Sequence, residues 1–274
     1  MFRVAYQGVA GAYSHQAAEL FFTGEKIKSV ACETFEDVFA AVQKGDTSYG
    51  CVPVENTLTG SILENYHLLR EYSVGVVGEV MVRISHALLA QHGAKLESID
   101  TVLSHPQALL QCREFLKKHK QMHPEAAFDT AGSAQIVAEK KDVRVAAIAS
   151  RYAAKLYGLR VLQTDIQQER YNYTRFLLIG NNTSRIGNKA TIMYELQHRP
   201  GTLQKSLQPF VDSRVNVMKI EAIPIIGRPW EYYFFLDVES GGGKSIHQAL
   251  IEFKKTCTWF KLLGLYDKGK IYEN

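Results

Sequence analysis

The first part of the chain alternates short apolar runs with segments whose apolar residues have helical spacing. FRVAY and YGCVPV have the length and residue types of buried strands, and helix-like segments follow them, SHQAAELFF and SILENYHLLREY. Strands that alternate with helices predict an α/β domain in which helices pack on a largely parallel sheet.

Two extended segments, VGVVGEVMV and HALLA, interrupt this alternation, which then resumes with segments such as TVLSH and PQALLQCREFLKKH. A chain that builds one α/β unit, crosses over in extended form and builds a second unit leaves a cleft between the two. Clefts between units are common ligand sites. We therefore predict two α/β lobes with a binding cleft between them.

The stretch NNTSRIGNK, residues 181–189, is polar, contains glycine and lacks apolar periodicity, so it predicts a linker. The segments beyond it alternate as strand, helix, strand, strand, helix and strand: ATIMYEL, PGTLQKSLQPFVDS, VNVMKIEAIPI, WEYYFFLDVES, SIHQALIEFKKT and WFKLLGLY. This βαββαβ order is typical of ferredoxin-like units. We predict a first domain over residues 1–182 and a smaller second domain over residues 188–274.

Composition indicates a globular chain and narrows its partners. Hydrophobic residues make up 46% and charged residues 22% of the 274 residues, which are ordinary values for a folded protein. The formal net charge of +4 comes from basic residues scattered among acidic ones. This pattern fits a small anionic substrate and argues against nucleic acid as a partner.

The sequence contains no signal for a membrane or for secretion. The N-terminus MFRVAYQG lacks the basic region and apolar stretch of a signal peptide, and no apolar run approaches the about 20 residues of a membrane span. The four cysteines form no CxxC pair, and the histidines form no HExxH motif. We predict a cytoplasmic protein with reduced thiols and no metal site.

Compact polar side chains stand at several turns that lead into predicted helices, where ligands bind in α/β proteins. These side chains are Ser14, Glu55, Asn56, Ser61, Gln107, Thr130 and Ser133. Gln111 lies four residues after Gln107 and therefore on the same helix face. Each of them fits a helix cap or a solvated face as well as a ligand contact, and only the collection favours a binding cleft.

The segment NYTRFLLIG, residues 172–180, places Thr174 and Arg175 directly before an apolar run that ends at Gly180. A strand that begins at the surface accounts for a hydroxyl and a guanidinium there without any function. A site at the mouth of the strand is the alternative.

Five segments in this order resemble the prephenate dehydratase family: GVAGAYSHQAA, VPVENTLTGSI, LSHPQALLQC, DTAGSAQIVA and NYTRFLLIG. The second domain resembles the ACT regulatory domain of these enzymes, around PGTLQKSL and VNVMKIEAIP. The resemblance implies a two-lobed catalytic domain like type II periplasmic binding proteins, followed by a ferredoxin-like ACT domain. No helical chorismate mutase segment precedes residue 1, so we expect the monofunctional form.

The resemblance also implies an activity and a set of residues. The activity is the decarboxylating dehydration of prephenate to phenylpyruvate in L-phenylalanine biosynthesis, without a metal or an organic cofactor. The residues that match catalytic positions of the family are Glu55, Asn56, Gln111, Thr174, Arg175 and Phe176. The candidates for holding substrate are Ser104, Gln107, Thr130, Ser133 and Asn172.

The chemistry suggests a role for each member of the TRF triplet, residues 174–176. We expect the Thr174 hydroxyl to hydrogen-bond the leaving oxygen, because general acid catalysis assists the departure of hydroxide. We expect Arg175 to bind the carboxylate that stays on the pyruvyl side chain, since a tight grip on the departing carboxylate would stabilise the ground state. Phe176 is expected to pack beside the substrate ring or to support the site.

The second domain departs from the family pattern. ACT domains of the family carry Gly-Ala-Leu-Val and Glu-Ser-Arg-Pro motifs near the phenylalanine site, whereas this chain has GTLQ at 201–204 and EAIP at 221–224. Candidate effector-binding residues are Gly201, Thr202, Leu203, Asn216 and Glu221. L-phenylalanine is the expected effector, and a role mainly in dimerisation is the alternative. By resemblance we expect a homodimer or a homotetramer.

Two rival functions stay open at this point. An arogenate dehydratase would use the same fold and chemistry on a substrate that has an amino group in place of the keto group. A non-catalytic sensor would combine a two-lobed amino-acid-binding module with an ACT domain. The complete TRF triplet, together with Glu55 and Asn56, favours an enzyme over a sensor.

Overall fold

The computed structural model describes residues 1–184, 186–241 and 243–273, and for residues 243–245 it describes the backbone alone. This part of the chain forms three sheets of seven, five and four strands. The first two sheets belong to two lobes, and the third belongs to a C-terminal unit.

The elements follow the chain through these units. The first lobe contains β1 (Phe2–Gln7), α1 (Tyr13–Phe21), β2 (Ile27–Cys32), α2 (Phe35–Lys44), β3 (Tyr49–Asn56), β4 (Gly60–Ser61), α3 (Leu63–Glu71) and β5 (Gly75–Arg83). The second lobe contains β6 (Ala87–Ala90), β7 (Thr101–Ser104), α4 (Pro106–Gln111), α5 (Arg113–Lys118), β8 (His123–Ala126), α6 (Thr130–Lys140), β9 (Val145–Ala149), α7 (Arg151–Tyr157) and β10 (Arg160–Gln163). The remaining elements are β11 (Tyr173–Gly180), β12 (Lys189–Glu195), α8 (Thr202–Asp212), β13 (Asn216–Pro224), β14 (Tyr232–Glu239), α9 (Gly243–Lys254), β15 (Trp259–Tyr266) and β16 (Ile271–Tyr272).

The two predicted lobes are present, but their sheets are mixed instead of largely parallel, because β11 and β6 run antiparallel to their neighbours. The first-lobe sheet has the order β16-β5-β11-β3-β1-β2, with β4 attached to β3, and the second-lobe sheet has the order β10-β6-β9-β7-β8. The chain crosses between the lobes at residues 84–86 and returns at residues 164–172. The predicted two-lobed α/β fold is therefore confirmed.

Local sequence explains where individual helices begin. At the start of α2, Thr34 and Asp37 form a capping box, and the helix ends at Gly45 with a left-handed φ of 80°. At the start of α6, the Asp129 carboxylate accepts a hydrogen bond from the Gly132 amide. These caps fix the loops that lead into the helices.

The C-terminal sheet has the strand order β13-β14-β12-β15, and all of its neighbouring strands are antiparallel. This is the ferredoxin-like arrangement that the βαββαβ order predicts. One face carries α8 and α9, with Phe210, Leu236 and Phe253 buried between them. The opposite face packs on the first lobe, where Phe235 stacks on Tyr66 with 4.4 Å between ring centroids.

The end of the chain returns to the first lobe. β16 pairs in parallel with β5, so the last strand of the predicted second domain belongs to the first-lobe sheet. The predicted linker at 181–189 includes Arg185, which lies outside the described residues, and the boundaries at 182 and 188 stay predictions. Within the described ranges no helix is both long and apolar enough to span a membrane, and the cytoplasmic location also stays a prediction.

Glycines allow β15 to lie against the backbone of β5. A Cβ atom on Gly264 would lie 2.0 Å from the Val76 carbonyl oxygen, and one on Gly75 would lie 2.6 Å from the Leu263 carbonyl oxygen. Only residues without a side chain permit this separation. The C-terminal sheet is therefore held on the first lobe by direct backbone contact.

We predict that Gly264→Ala destabilises the protein by about 1–3 kcal/mol or more, because the new methyl group meets the rigid β5 backbone. Gly241→Ala is the matched control, since its added Cβ meets no atom of the described residues within 4 Å. The free energy of unfolding, measured by urea titration, should fall for the first variant and stay within about 0.5 kcal/mol for the second. Equal values for both variants would show that β15 does not lie this close to β5.

Candidate active site

A cleft of about 310 Å³ lies between the two lobes. Side chains from β1, α1, β3 and β11 line the first-lobe side, and side chains from α4, α6 and the crossing segments line the other. The sequence-predicted residues that line it are Ser14, Asn56, Gln107, Gln111, Thr130, Asn172, Thr174 and Phe176. The folded chain thus brings together residues from five separate sequence segments.

Thr174 is held in the cleft by Asn56, its cross-strand partner in the pairing of β11 with β3. The Asn56 Nδ2 group donates to Thr174 Oγ1 at 2.9 Å and to Asn172 Oδ1 at 2.7 Å. The Asn56 Oδ1 atom accepts the backbone amides of Leu58 and Thr59, which fixes the orientation of the carboxamide. Because Thr174 Oγ1 accepts from Asn56, its own hydrogen remains to be donated toward the cleft.

Gln111 links this group to His86, a residue from the first crossing. Its Oε1 atom lies 2.8 Å from His86 Nε2 and accepts a longer contact of 3.4 Å from Asn172 Nδ2. Burial lowers the pKa of the His86 imidazole below its ordinary value, so the ring is neutral near pH 7. The carboxamide oxygen requires the proton on Nε2, and Nδ1 has no hydrogen-bond partner within the described residues.

His86 is the main cleft residue that the sequence pattern does not single out. It follows the extended segment VRIS without any recognisable motif, and a lone histidine is ordinarily a packed core residue. The only available signal was its position at a crossing between two predicted lobes. Tyr13, which donates to the Ser85 carbonyl oxygen at 2.8 Å, covers this end of the cleft.

The second lobe contributes the starts of two helices. His105 caps α4 by accepting the Gln107 amide at 3.2 Å, and Thr130 is the first residue of α6. Ser104 and Ser133 are fully buried and do not line the cleft. Their hydroxyls donate to the carbonyl oxygens of Ile148 at 2.6 Å and Asp129 at 2.7 Å, so they support the strand and the helix start.

Arg175 and Glu55 point to the opposite face of the first-lobe sheet, toward the C-terminal unit. Arg175 Nε donates to Glu79 at 2.7 Å and its Nη1 donates to Asp237. Glu55 accepts from Lys219 Nζ at 2.9 Å. Successive side chains on a strand alternate faces, so Arg175 cannot share the cleft with its neighbour Thr174. This corrects the expectation that Arg175 binds a carboxylate of the substrate.

A second cavity of about 1020 Å³ lies on the C-terminal unit, between the loop before α8 and the start of β14. It includes the expected effector residues Gly201, Thr202 and Leu203. Asn216 and Glu221 do not line it. Glu221 instead pairs with Lys219 at 3.0 Å and accepts from the Ser61 hydroxyl of the first lobe, because its side chain faces the interface between the two units.

Among the described residues, no three His, Cys, Asp or Glu side chains cluster in a way that would hold a metal ion. Carboxamides, hydroxyls, the neutral His86 imidazole, the His105 ring and the Asp129 carboxylate, which caps α6, line the cleft.

The sequence was compared with known protein families and with curated proteins. The model of the family described as prephenate dehydratase matches residues 4–184. The chain belongs to this family. Its curated relatives include a plant enzyme, the Arabidopsis thaliana protein named arogenate dehydratase/prephenate dehydratase 2, chloroplastic. The two sequences are 39% identical over 96% of this chain and 72% of the relative. The bifunctional chorismate mutase/prephenate dehydratase of Escherichia coli K12 is 33% identical over 98% of this chain and 72% of the relative.

Solved structures share the fold of this chain. GqqA, described as a novel type of quorum quenching acylase, superposes with a TM-score of 0.86 at 30% identity, covering 97% of this chain and 98% of that chain. The prephenate dehydratase of Arthrobacter aurescens in complex with L-Phe has a TM-score of 0.81 at 23% identity, covering 97% of this chain and 90% of that chain. The second likeness extends the fold across both lobes and the C-terminal unit.

We predict that the His86 imidazole titrates below pH 6.5, its ordinary value, because burial disfavours the charged ring. Its Nε2–H tautomer and its titration midpoint can be read from ¹⁵N-labelled imidazole NMR spectra. An unstructured histidine-containing peptide, measured under the same conditions, serves as the reference. A His86 midpoint at or above 6.5 would contradict the buried, neutral imidazole.

Proposed function

We propose that the chain converts prephenate to phenylpyruvate, carbon dioxide and water. The observation that carries this proposal is the Thr174 hydroxyl, oriented by Asn56 at 2.9 Å in a cleft between two lobes. Membership of the prephenate dehydratase family supports it. The step is a lyase reaction in which two bonds of the substrate break and the ring becomes aromatic.

The electron balance shows which groups the reaction needs. The bond between the ring and its carboxylate breaks, and its electron pair forms the new ring double bond as carbon dioxide leaves. The ring electrons shift toward the carbon that carries the hydroxyl group, and its C–O bond breaks with the electron pair going to the oxygen. The oxygen takes up a proton and departs as water. Aromatisation drives the reaction, so the protein need only assist the departing oxygen.

Thr174 is the proposed donor to that oxygen. A threonine hydroxyl is a poor free acid, so it donates a hydrogen bond and relays a proton from water or from a neighbouring group. General acid assistance of this kind is typically worth about 10²- to 10⁴-fold. The neutral His86 ring is hydrogen-bonded to Gln111, which contacts Asn172, and Asn172 accepts a hydrogen bond from Asn56. This chain of hydrogen bonds supports the orientation of Asn56 beside Thr174.

The substrate carboxylates meet neutral donors in this proposal. The described residues that line the cleft include no lysine and no arginine. Gln107 and Thr130, at the starts of two helices of the second lobe, are the proposed partners of the carboxylate that stays on the side chain. The departing carboxylate meets no fixed cation, which leaves its ground state unstabilised and favours decarboxylation.

Arogenate is the second candidate substrate, because the Arabidopsis relative carries both activities in its name. The two substrates differ by an amino group in place of a keto group on the side chain. The proposed side-chain partners, Gln107 and Thr130, offer both donor and acceptor atoms and are compatible with either group. The ratio of kcat/KM values for prephenate and arogenate decides between the two.

We also propose that the C-terminal unit binds L-phenylalanine and joins chains into a homodimer or homotetramer. Support comes from the Arthrobacter aurescens structure, whose complex contains L-Phe, and from the cavity beside α8. The alternative role, dimerisation without an effector, keeps the same interface and leaves the cavity empty. Analytical ultracentrifugation with and without L-phenylalanine gives the size of the assembly.

We predict that Thr174→Ala lowers kcat for prephenate on the order of 10²-fold or more, because the donor to the departing oxygen is lost. Thr174→Ser keeps the hydroxyl and should retain a good part of the activity. Phenylpyruvate formation is measured at neutral pH without added metal, since prephenate aromatises by itself in acid. Equal turnover of Thr174→Ala and wild type would remove Thr174 from the mechanism. An inactive wild type with both prephenate and arogenate would favour a binding protein over an enzyme.

We predict that L-phenylalanine binds wild type in isothermal titration calorimetry and that Leu203→Asp abolishes the binding, because a carboxylate in the cavity repels the ligand's carboxylate and removes apolar contact. The same variant should keep the wild-type turnover of prephenate when no effector is present. D-phenylalanine is the ligand control. Binding that survives in Leu203→Asp would place the effector site elsewhere.

A further inference from the structure

The pairing of β3 with β11 carries two cross-strand pairs that face opposite sides of the sheet. Thr174 lies opposite Asn56, and this pair lines the cleft. Arg175 lies opposite Glu55, and this pair faces the C-terminal unit. Each residue of the first pair is a chain neighbour of a residue of the second, so a shift of one pair moves the other.

The hydrogen-bond ladder between β3 and β11 is interrupted next to these two cross-strand pairs. The register shifts between Arg175 and Phe176, which lie opposite Glu55 and Pro53, so that Val54 is the extra residue of a bulge. A bulge locally disrupts ladder hydrogen bonds and allows the strand to bend. The position of this strand end therefore depends more than usual on what its side chains contact.

The C-terminal unit supplies the contact for Arg175. Its guanidinium donates through Nη1 to the Asp237 carboxylate of β14, which is fully buried and also accepts the Thr191 hydroxyl at 2.6 Å. On the first lobe, Glu79 accepts from Arg175 Nε at 2.7 Å and from Lys189 Nζ at 2.8 Å. The charges of these two cations and two carboxylates balance, and Arg175 provides an ionic link between the first lobe and β14.

The C-terminal unit also supplies the contact for Glu55. Lys219 of β13 donates to Glu55 at 2.9 Å and to the Ser61 hydroxyl at 3.1 Å, and it pairs with Glu221 at 3.0 Å. Lys219 is therefore surrounded by acceptors from both units. Both members of the Glu55–Arg175 pair are thus held by charged side chains of the C-terminal sheet.

We infer that Asp237 and Lys219 are positioning residues for the reaction in the cleft. In the described part of the chain their hydrogen bonds and ion pairs go to groups outside the cleft lining. They act by fixing Arg175 and Glu55, whose chain neighbours Thr174 and Asn56 form the hydrogen-bonded pair in the cleft. This inference rests on the proposed function of Thr174. A small displacement of a catalytic group can lower a rate by about 10²-fold. By holding the strand end from the other face of the sheet, Asp237 and Lys219 therefore affect turnover.

The first experiment compares Asp237→Asn with Glu239→Gln in the full chain. Glu239 lies two residues further along β14, on the same face, and pairs with Lys268 instead of with the first-lobe strands. Asp237→Asn should lower kcat for the accepted substrate by about 10-fold or more, with KM within about twofold, since the substrate-binding groups of the second lobe are unchanged. Glu239→Gln should leave both parameters within about twofold of wild type. Equal kcat values for the two variants would overturn the inference.

A purely structural effect is separated by a double-mutant cycle. If Asp237 acts through Thr174, Asp237→Asn should change the residual kcat of Thr174→Ala by less than about twofold. A loss of folded protein would lower kcat by the same factor in both backgrounds and would overturn the inference. Thermal melting of each variant confirms that it is folded at the assay temperature. Lys219→Met, at a less buried site, provides the same comparison where Asp237→Asn does not fold.

A readout without turnover separates this inference from the proposed function. Hydrogen–deuterium exchange of peptides that cover residues 172–178 should be faster in Asp237→Asn, or in Lys219→Met, than in Glu239→Gln. Faster exchange together with an inactive wild type would show that Asp237 or Lys219 holds the strand end, and would reject the dehydratase. Unchanged exchange in an active enzyme would reject the positioning role and leave the dehydratase intact.

Discussion

The antiparallel pairing of β3 with β11 sets the geometry on which the rest of the site depends. Its register places Thr174 opposite Asn56 and Arg175 opposite Glu55. Because side chains on a strand alternate faces, one pair meets the cleft and the other meets the C-terminal sheet. A one-residue slip of β11 would turn Arg175 toward the cleft and bring the Thr174 hydroxyl among buried carboxylates. The two lobes, the cleft and the C-terminal unit are compatible only with the observed register.

The charged side chains between the first-lobe sheet and the C-terminal sheet determine how the two sheets are placed more than they add to the free energy of unfolding. Burial opposes the charge on the Arg175 guanidinium, and the nearby carboxylates of Asp237 and Glu79 outweigh it, so the pKa of Arg175 is raised well above its ordinary value. A buried ion pair often contributes little more than an apolar replacement would, but breaking one side leaves an uncompensated charge. The network therefore penalises any other placement of β14 on the first lobe. Together with the close approach of Gly264 to Val76, it holds the C-terminal sheet against the face of the first-lobe sheet that is opposite the cleft.

The cleft itself has the opposite character. It presents carboxamides, hydroxyls, the His86 imidazole that burial keeps neutral and the Asp129 carboxylate that caps α6, whereas the arginine of the triplet lies on the other face of the sheet. The carboxamides and hydroxyls can hydrogen-bond an anion without neutralising it. That setting suits a reaction in which one carboxylate must be lost and one oxygen must be assisted. Neighbouring residues of the triplet therefore have different roles: Thr174 lines the cleft, and Arg175 binds carboxylates on the other face of the sheet.

The amino-acid pattern predicts the helices and strands and part of the cleft lining. Apolar runs and helical spacing give the two α/β lobes and the βαββαβ unit, because these patterns record which face of each element is buried. Motif segments also identified Asn56, Gln111 and Thr174, which the fold brings together. The folded chain shows further that Arg175 and Glu55 point away from the cleft, that Ser104 and Ser133 bind backbone carbonyls, and that His86 enters the cleft. The reason is physical: these outcomes depend on strand register and on charges of a distant segment, such as Asp237, and neither is encoded in the local pattern around each residue.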